Sequence, residues 1–235
     1  MRIGIVSPTY WEVVRFIRKE NLKKKGPTSY FINSDKVSIQ LEISGIGAEN
    51  AKRACEKLVS SNPSVILCVG FAGGLRSEIN AGDIVLDTDK SEPKIFNIIT
   101  SLSFKKGIPC YSGQFWNSLS PLLKREQKLE VSRSSSSLAV EMEGESVWGA
   151  AKSRGIPFVS IRAISDTLSE DLPMIVTALG DHGNIGWNFW KTFISRPWEW
   201  PSFFRLAANS HKAAQNLQII LSDLVRHSSE SGNLV

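Results

Sequence analysis

Val65-Ile66-Leu67-Cys68-Val69-Gly70 is an unbroken apolar run that follows a helical stretch and Pro63 and leads into Phe71-Ala72-Gly73-Gly74. A strand with one wet face alternates apolar and polar residues, so a run without that alternation predicts a central strand covered on both faces. The glycine-rich residues 71–74 are then expected to form the loop that follows it. Upstream, residues 2–7 read as a short apolar strand and residues 11–20 as a helix with Val13, Val14, Phe16 and Ile17 on its buried side. Glu12 is thereby placed where strand gives way to helix. Residues 30–32 and 36–44 flank a Ser34-Asp35 turn, and Val37, Ile39, Leu41 and Ile43 alternate with polar residues, which predicts an antiparallel hairpin with one wet face.

Downstream, Ser44-Gly45-Ile46-Gly47 opens a helix over 48–60, and residues 83–87 and 108–115 read as further strands. The serine-rich tract 132–137 is expected to be polar loop between layers. Residues 145–154 suit a helix that Gly155-Ile156-Pro157 stops, and residues 158–164 resume as strand. Residues 167–201 show no clear period. A last helix is expected over 201–226, with Leu217, Ile220, Leu221 and Leu224 on one face, followed by a frayed tail at 228–235. Helices alternating with buried strands, plus an inserted hairpin, predict an α/β fold of three layers around a mixed central sheet. The length of 235 residues suits a single domain, 1–235, with an aromatic-rich segment at 187–204.

Composition narrows the function classes. With 42% hydrophobic and 22% charged residues the chain is neither disordered nor fibrous. A net charge of +5 is compatible with a solvated surface and with attraction to phosphate, so basicity does not decide between them, and no nucleic-acid partner is expected. Cys55, Cys68 and Cys110 lack CxxC spacing, and no apolar run reaches spanning length, which fits reduced structural thiols in a cytoplasmic protein. His182, His211 and His227 lack metal-ligand spacing, there is no Gly-x-Ser-x-Gly elbow, and the dinucleotide and P-loop fingerprints are incomplete. Neither a metal nor a cofactor is expected.

The acids are more telling. Ala139-Val140-Glu141-Met142-Glu143-Gly144 sets two carboxylates in an apolar run, and the strand at 158–164 delivers Asp166 just beyond its end. Singly, each has an ordinary explanation: Glu12 as a first-turn helix acid, Asp166 as a turn cap, Glu141 and Glu143 as the polar start of a helix. Together they all fall at or just past strand ends, where ligands bind in sheets of this kind. One shared pocket is the expectation.

Six pieces carry a resemblance in order and spacing: Ile3-Gly4-Ile5-Val6 with Glu12, Ser44-Gly45-Ile46-Gly47, Gly70-Phe71-Ala72-Gly73-Gly74, Ala81-Gly82-Asp83-Ile84-Val85, the stretch from Ala139 to Gly144, and Arg162-Ala163-Ile164-Ser165-Asp166. They resemble the purine nucleoside phosphorylase and methylthioadenosine nucleosidase superfamily. Asp166-Thr167-Leu168-Ser169-Glu170-Asp171-Leu172-Pro173 and, later, Arg196-Pro197, Pro201 and Phe203-Phe204-Arg205-Leu206 look like its hopanoid-associated phosphorylase branch, which removes adenine from adenosylhopane.

The resemblance implies roles. Asp166 would donate a proton to the leaving purine, helped by Ser165, if partial desolvation at the apolar strand end keeps it protonated near neutral pH. Glu143 would accept hydrogen bonds from the ribose hydroxyls and Met142 would pack on the sugar. Glu12 matches the glutamate that activates water in the nucleosidases. A phosphorylase would instead take inorganic phosphate as co-substrate, for which Arg15 and the backbone N–H groups of Gly45, Gly47 and Gly73 are candidates. Phe71 stands where many relatives carry a serine, so a hydroxyl contact to phosphate is lost at that loop. Phe115 or Trp116 would stack on the base.

Three functions stay open on these grounds: phosphorolysis of an adenine nucleoside, hydrolysis of a methylthioadenosine-like nucleoside, and non-catalytic purine binding or membrane association on the same fold. A homo-oligomer is expected. The aromatic segment 187–204 is either core or subunit interface, or else a greasy entrance for a lipid-linked nucleoside with peripheral membrane contact.

Overall fold

The computed structural model describes residues 1–180 and 182–231. In chain order the strands are β1 (Arg2–Ser7), β2 (Lys23–Lys24), β3 (Ser29–Asn33), β4 (Ser38–Ile43), β5 (Val65–Gly74), β6 (Ile84–Asp87), β7 (Cys110–Gly113), β8 (Phe115–Asn117), β9 (Ala139–Glu141) and β10 (Phe158–Asp166). The helices are α1 (Tyr10–Lys19), α2 (Ala48–Val59), α3 (Pro93–Lys106), α4 (Arg125–Ser134), α5 (Gly144–Lys152), α6 (Trp187–Ser195) and α7 (Trp200–Ser231).

One mixed sheet runs β2-β3-β4-β1-β5-β10-β6-β7, with β9 pairing β5 and β8. Its centre is parallel, β4 to β1 to β5 to β10, and β6 joins β10 antiparallel. The apolar run at 65–70 is central, and alternate residues serve opposite layers. Val65, Leu67 and Val69 pack into a core with Val13, Phe16, Ile99 and Leu217, from α1, α3 and α7. Ile66 and Cys68 pack into a second core with Ala54, Leu58 and Val147, from α2 and α5. Both faces are covered, which is why neither carries polar residues. This is the three-layer α/β fold with a mixed sheet.

Several boundaries differ from the sequence expectation. Residues 71–74 are not a loop: β5 continues through them because β10 pairs on one side, Ala72 opposite Ile164, and β9 on the other, Gly73 opposite Val140. The strand expected at 108–115 divides at Gln114 into β7, paired with β6, and β8, paired with β9. Residues 132–134 belong to the end of α4 rather than to a loop. The hairpin β3-β4 is no separate insertion, since β4 also pairs parallel to β1. The unread residues 167–201 contain a 3₁₀ turn at Met174–Ala178 and α6. Ser228, expected to be in a frayed tail, is buried in α7 with its hydroxyl donating to the Leu224 carbonyl at 2.8 Å; residues 232–235 lie outside the described residues.

Candidate active site

The carboxyl ends of β1, β5, β9 and β10 open into one cavity of about 920 Å³. Of the residues singled out from sequence, Glu12, Arg15, Gly73, Glu141, Met142, Glu143, Ser165 and Asp166 line it.

Glu12 is fixed by local chemistry. Thr9-Tyr10-Trp11-Glu12 has the spacing of a helix-capping box, and the Thr9 N–H donates to Glu12 Oε2 at 3.0 Å. The Ser7 hydroxyl donates to the same oxygen at 2.9 Å and the Phe71 N–H to Oε1 at 3.3 Å. The side chain is buried, and this desolvation pushes its carboxyl up to about 7. The Thr9 N–H opposes the rise, nearby Glu143 adds to it, and Arg162 and Ser7 oppose it.

Arg162 organises the next pair. It projects from the middle of β10 with its side chain wholly buried; Nη2 is paired with Glu141 and lies 3.4 Å from Glu143 Oε2. Glu141 also accepts the N–H groups of Glu143 at 2.9 Å and Gly144 at 2.6 Å, and Asn117 Nδ2 at 2.7 Å. It thus caps the start of α5 and neutralises the arginine. Glu143 keeps more freedom: besides Arg162 it accepts the Gly47 N–H at 2.9 Å. Burial pushes its carboxyl up, with Arg162 opposing and Glu141 reinforcing. Among the described residues Arg162 Nε and Nη1 have no hydrogen-bond partner. Gly70 explains the room around Nη1: a Cβ there would stand 2.6 Å from Nη1 and 3.1 Å from Glu12 Oε2.

Asp166 reaches the cavity through an irregularity. The β10 register against β5 shifts between Ile164 and Asp166, and such bulges re-aim side chains. The Ser165 hydroxyl donates to Asp166 Oδ1 at 2.7 Å. The surroundings differ from expectation, because Oδ2 is not in apolar contact alone but is paired with the buried ammonium of Lys128. Gly73 accommodates this acid: a Cβ there would sit 2.9 Å from Oδ2.

Other assignments need correction. Phe115 packs against the cluster of Ala72, Ile79 and Val85, Trp116 is exposed on β8, and neither lines the cavity. The Gly45 N–H is taken by the Pro8 carbonyl and that of Gly47 by Glu143, which leaves neither free for an anion. Gly73 lies within the β5–β9 pairing. Arg15 lines the cavity with its guanidinium 2.7 Å from His211 Nε2.

Two residues of the site, Arg162 and Lys128, were not assigned a role from sequence. A signal existed for the first: an arginine within an apolar strand has to find buried carboxylates. Lys128 lies in a helix of mostly polar composition and carries no such mark.

Away from the acids the cavity turns apolar, lined by Leu172, Ile175, Leu179, Ile185, Phe189 and Phe203. Phe189, Phe193 and Phe203 pack on one another, and Phe193 stacks on Trp200 at 5.2 Å between ring centroids. Trp187, Trp190, Ile194, Trp198 and Phe204, from the same two helices and their connection, are exposed, Trp187 by 80%.

A model of the phosphorylase superfamily matches residues 2–96 and 90–178. The chain is 25% identical over 201 residues to a 5'-methylthioadenosine/S-adenosylhomocysteine nucleosidase of Desulfotalea psychrophila, covering 72% of this chain and 86% of the relative. Its fold is similar to that of futalosine hydrolase of Helicobacter pylori, with a TM-score of 0.74 at 16% identity, 97% of this chain and 98% of that chain being covered. It is also similar to the 5'-methylthioadenosine/S-adenosylhomocysteine nucleosidase from Neisseria meningitidis in complex with methylthio-immucillin-A, with a TM-score of 0.73 at 19% identity over 96% and 99% of the two chains.

Proposed function

This chain belongs to the phosphorylase superfamily, and from that premise we propose that it breaks the N-glycosidic bond of an adenine-type purine nucleoside. The observation that carries the reading is the convergence of Glu12, Glu143 and Asp166, from three separate segments, on one cavity. Breaking this bond builds positive charge on the sugar and negative charge on the departing base. Glu143, held from below by Arg162, accepts from the ribose hydroxyls and offers negative charge to the developing cation. Met142 packs on the sugar. Asp166, oriented by Ser165, faces the base and passes it a proton.

The nucleophile supported best is water. Glu12 lines the cavity, and its carboxyl is an acceptor held in place by the Ser7 hydroxyl and the Thr9 and Phe71 N–H groups. A carboxyl near 7 at the cavity wall suits a general base that takes a proton from water near neutral pH. Phosphate would meet Glu12 and Glu143 together, with the Gly45 and Gly47 amides already engaged. The relatives whose names read nucleosidase and hydrolase agree with hydrolysis.

The substrate's sugar carries a large apolar group at its 5' position. A cavity of about 920 Å³ stands near the top of the roughly 300–1,000 Å³ range of small-molecule pockets, and the part beyond the acids is apolar. Adenosylhopane, the substrate that the resemblance implies, has this character; a methylthioadenosine-like nucleoside would fill only the acidic end. The exposed aromatics of α6 and the start of α7, with Lys191 among them, suit contact with a bilayer surface beside the cavity mouth. Among the described residues no helix is long and apolar enough to cross a membrane.

The test is a panel of adenine nucleosides with small and long apolar 5' groups, incubated with and without phosphate while free adenine and ribose 1-phosphate are followed. The expected result is adenine release without phosphate, faster for the long apolar groups. Ribose 1-phosphate formation would replace water by phosphate, and tight binding without adenine release would make the chain a binding protein.

A further inference from the structure

Lys128 has no part in the roles above, yet its side chain is 1% exposed. Lysine is almost never fully buried unless paired, because taking an ammonium out of water costs several kcal/mol. Here Nζ has a complete set of acceptors: Asp166 Oδ2, the Thr167 carbonyl at 2.9 Å and the Glu170 carbonyl at 3.0 Å. Three donors meet three acceptors, and the other Asp166 oxygen takes the Ser165 hydroxyl. Both oxygens of Asp166 are therefore accepting, whereas a departing purine needs a proton. The proton that this acid must deliver has to come from one of its donors, and Lys128 is the charged one.

We propose that Lys128 is the proton source behind Asp166, so that the acid of this site is a two-residue relay. The inference rests on the base-release reading of the same site. As the bond between C1' and the purine nitrogen breaks, its electron pair passes into the purine ring. The ring N7 takes a proton from the Asp166 carboxyl, and Asp166 is resupplied from Lys128 Nζ, which becomes a neutral amine. At C1' a bond forms to the oxygen of water, whose proton goes to Glu12. Solvent entering the cavity after the products leave takes the Glu12 proton and returns one to Lys128. Lysine can perform this step and arginine cannot, since a guanidinium keeps its proton inside proteins. Lys128 acts through Asp166 and is a positioning residue; its helix, α4, contributes no other charged group to the cavity wall among the described residues.

The proposal separates from a purely structural pin between α4 and the segment after β10. Turnover is measured for the full chain, K128R and K128M on an adenine nucleoside and on its N7-methylated form, whose base leaves as a neutral molecule and needs no proton. Both variants are expected to lose about 100-fold or more in kcat on the ordinary nucleoside, the scale of general acid catalysis, with KM little changed, and to lose a much smaller factor on the methylated one. Restoration of nucleoside turnover in K128R would show that positive charge alone suffices and overturn the relay, as would equal losses on both substrates. Circular-dichroism melts accompany each variant. Should both fail to fold, the wild-type solvent isotope effect on kcat decides: larger for the ordinary than for the methylated nucleoside supports the relay, and equality overturns it. A wild-type chain that binds nucleosides but releases no base would remove the base-release reading and the relay with it.

Discussion

Replacing Glu12 by glutamine should remove turnover and, at neutral pH, stabilise the protein. Glu12 is 7% exposed, and burial raises its carboxyl from 4.5 to about 7. At about 1.36 kcal/mol per pKa unit, this rise corresponds to about 3 kcal/mol. The sign follows from proton binding. The folded chain holds the Glu12 proton more tightly than the unfolded chain, so this residue's favourable contribution is full below pH 4.5, declines as pH rises, and is gone above about 7. Glutamine does not titrate. The unfolding free energy of E12Q minus that of the wild type should therefore climb by about 3 kcal/mol between pH 4.5 and 7 and be flat on either side. Glu143, also raised by burial, is present in both chains and drops out to first order. Urea unfolding followed by tryptophan fluorescence across that window measures the difference. A constant offset would report only hydrogen bonds changed at Ser7, Thr9 and Phe71. Parallel stability curves would refute the claim that burial penalises this carboxylate. In the same series wild-type kcat/KM should fall below pH 7, tenfold per unit, and E12Q should lose about 100-fold or more.

Asp166→Asn should abolish base release while calorimetric binding of a nucleoside stays within a few-fold; near wild-type turnover would remove Asp166 from the acid role. Arg162→Met strands Glu141 and Glu143 without their cation and should cost about 3–5 kcal/mol in urea unfolding, the usual penalty for breaking a buried pair. Gly70→Ala places a methyl 2.6 Å from Arg162 Nη1 and 3.1 Å from Glu12 Oε2, so kcat should drop while urea unfolding shows a loss of about 1–3 kcal/mol, that of a local overpacking. Trp190→Ala or Trp198→Ala should slow turnover of a vesicle-borne lipid-linked nucleoside and spare a soluble one; equal losses would point to folding.

Much of the fold was legible because burial on both faces leaves a mark that needs no partner to read. The run at 65–70 is apolar throughout for that reason, and the acids at strand ends stood out against such runs. What stayed hidden depends on pairing between distant segments. Gly73 and Gly74 look like turn residues until β9 is seen to pair beside them and Asp166 to approach within 2.9 Å of a Cβ at Gly73. The split of β7 from β8 is set by their different neighbours rather than by Gln114 itself. Helix α3 carried legible signals, Pro93 in its first turn and Gly107 closing it at φ +66°, but its mixed composition has no sharp apolar stripe. Lys128 is 38 residues from Asp166, and no spacing rule connects them.

The charges of the site divide in a way that bears on mechanism. Arg162 is shared by Glu141 and Glu143 at the sugar end, and Lys128 serves Asp166 at the base end. Among the described residues the groups that donate hydrogen bonds to Glu12 are neutral, the Ser7 hydroxyl and two backbone N–H groups, and Arg162 acts on it without a hydrogen bond. Contact with a buried cation favours the ionised form of a carboxylate, and at Glu143 Arg162 opposes the upward push of burial, which favours the charge needed to support a cation on the sugar. A carboxylate held by neutral donors alone has its two protonation states closer in energy, and burial has brought them level near 7. The group with no ion pair among the described residues is therefore the one whose proposed role requires it to take up and release a proton in every turnover. Asp166 must also pass a proton on, and it has a cation; but that cation is a lysine, which can give a proton away, where the sugar-end cation is an arginine, which keeps its own.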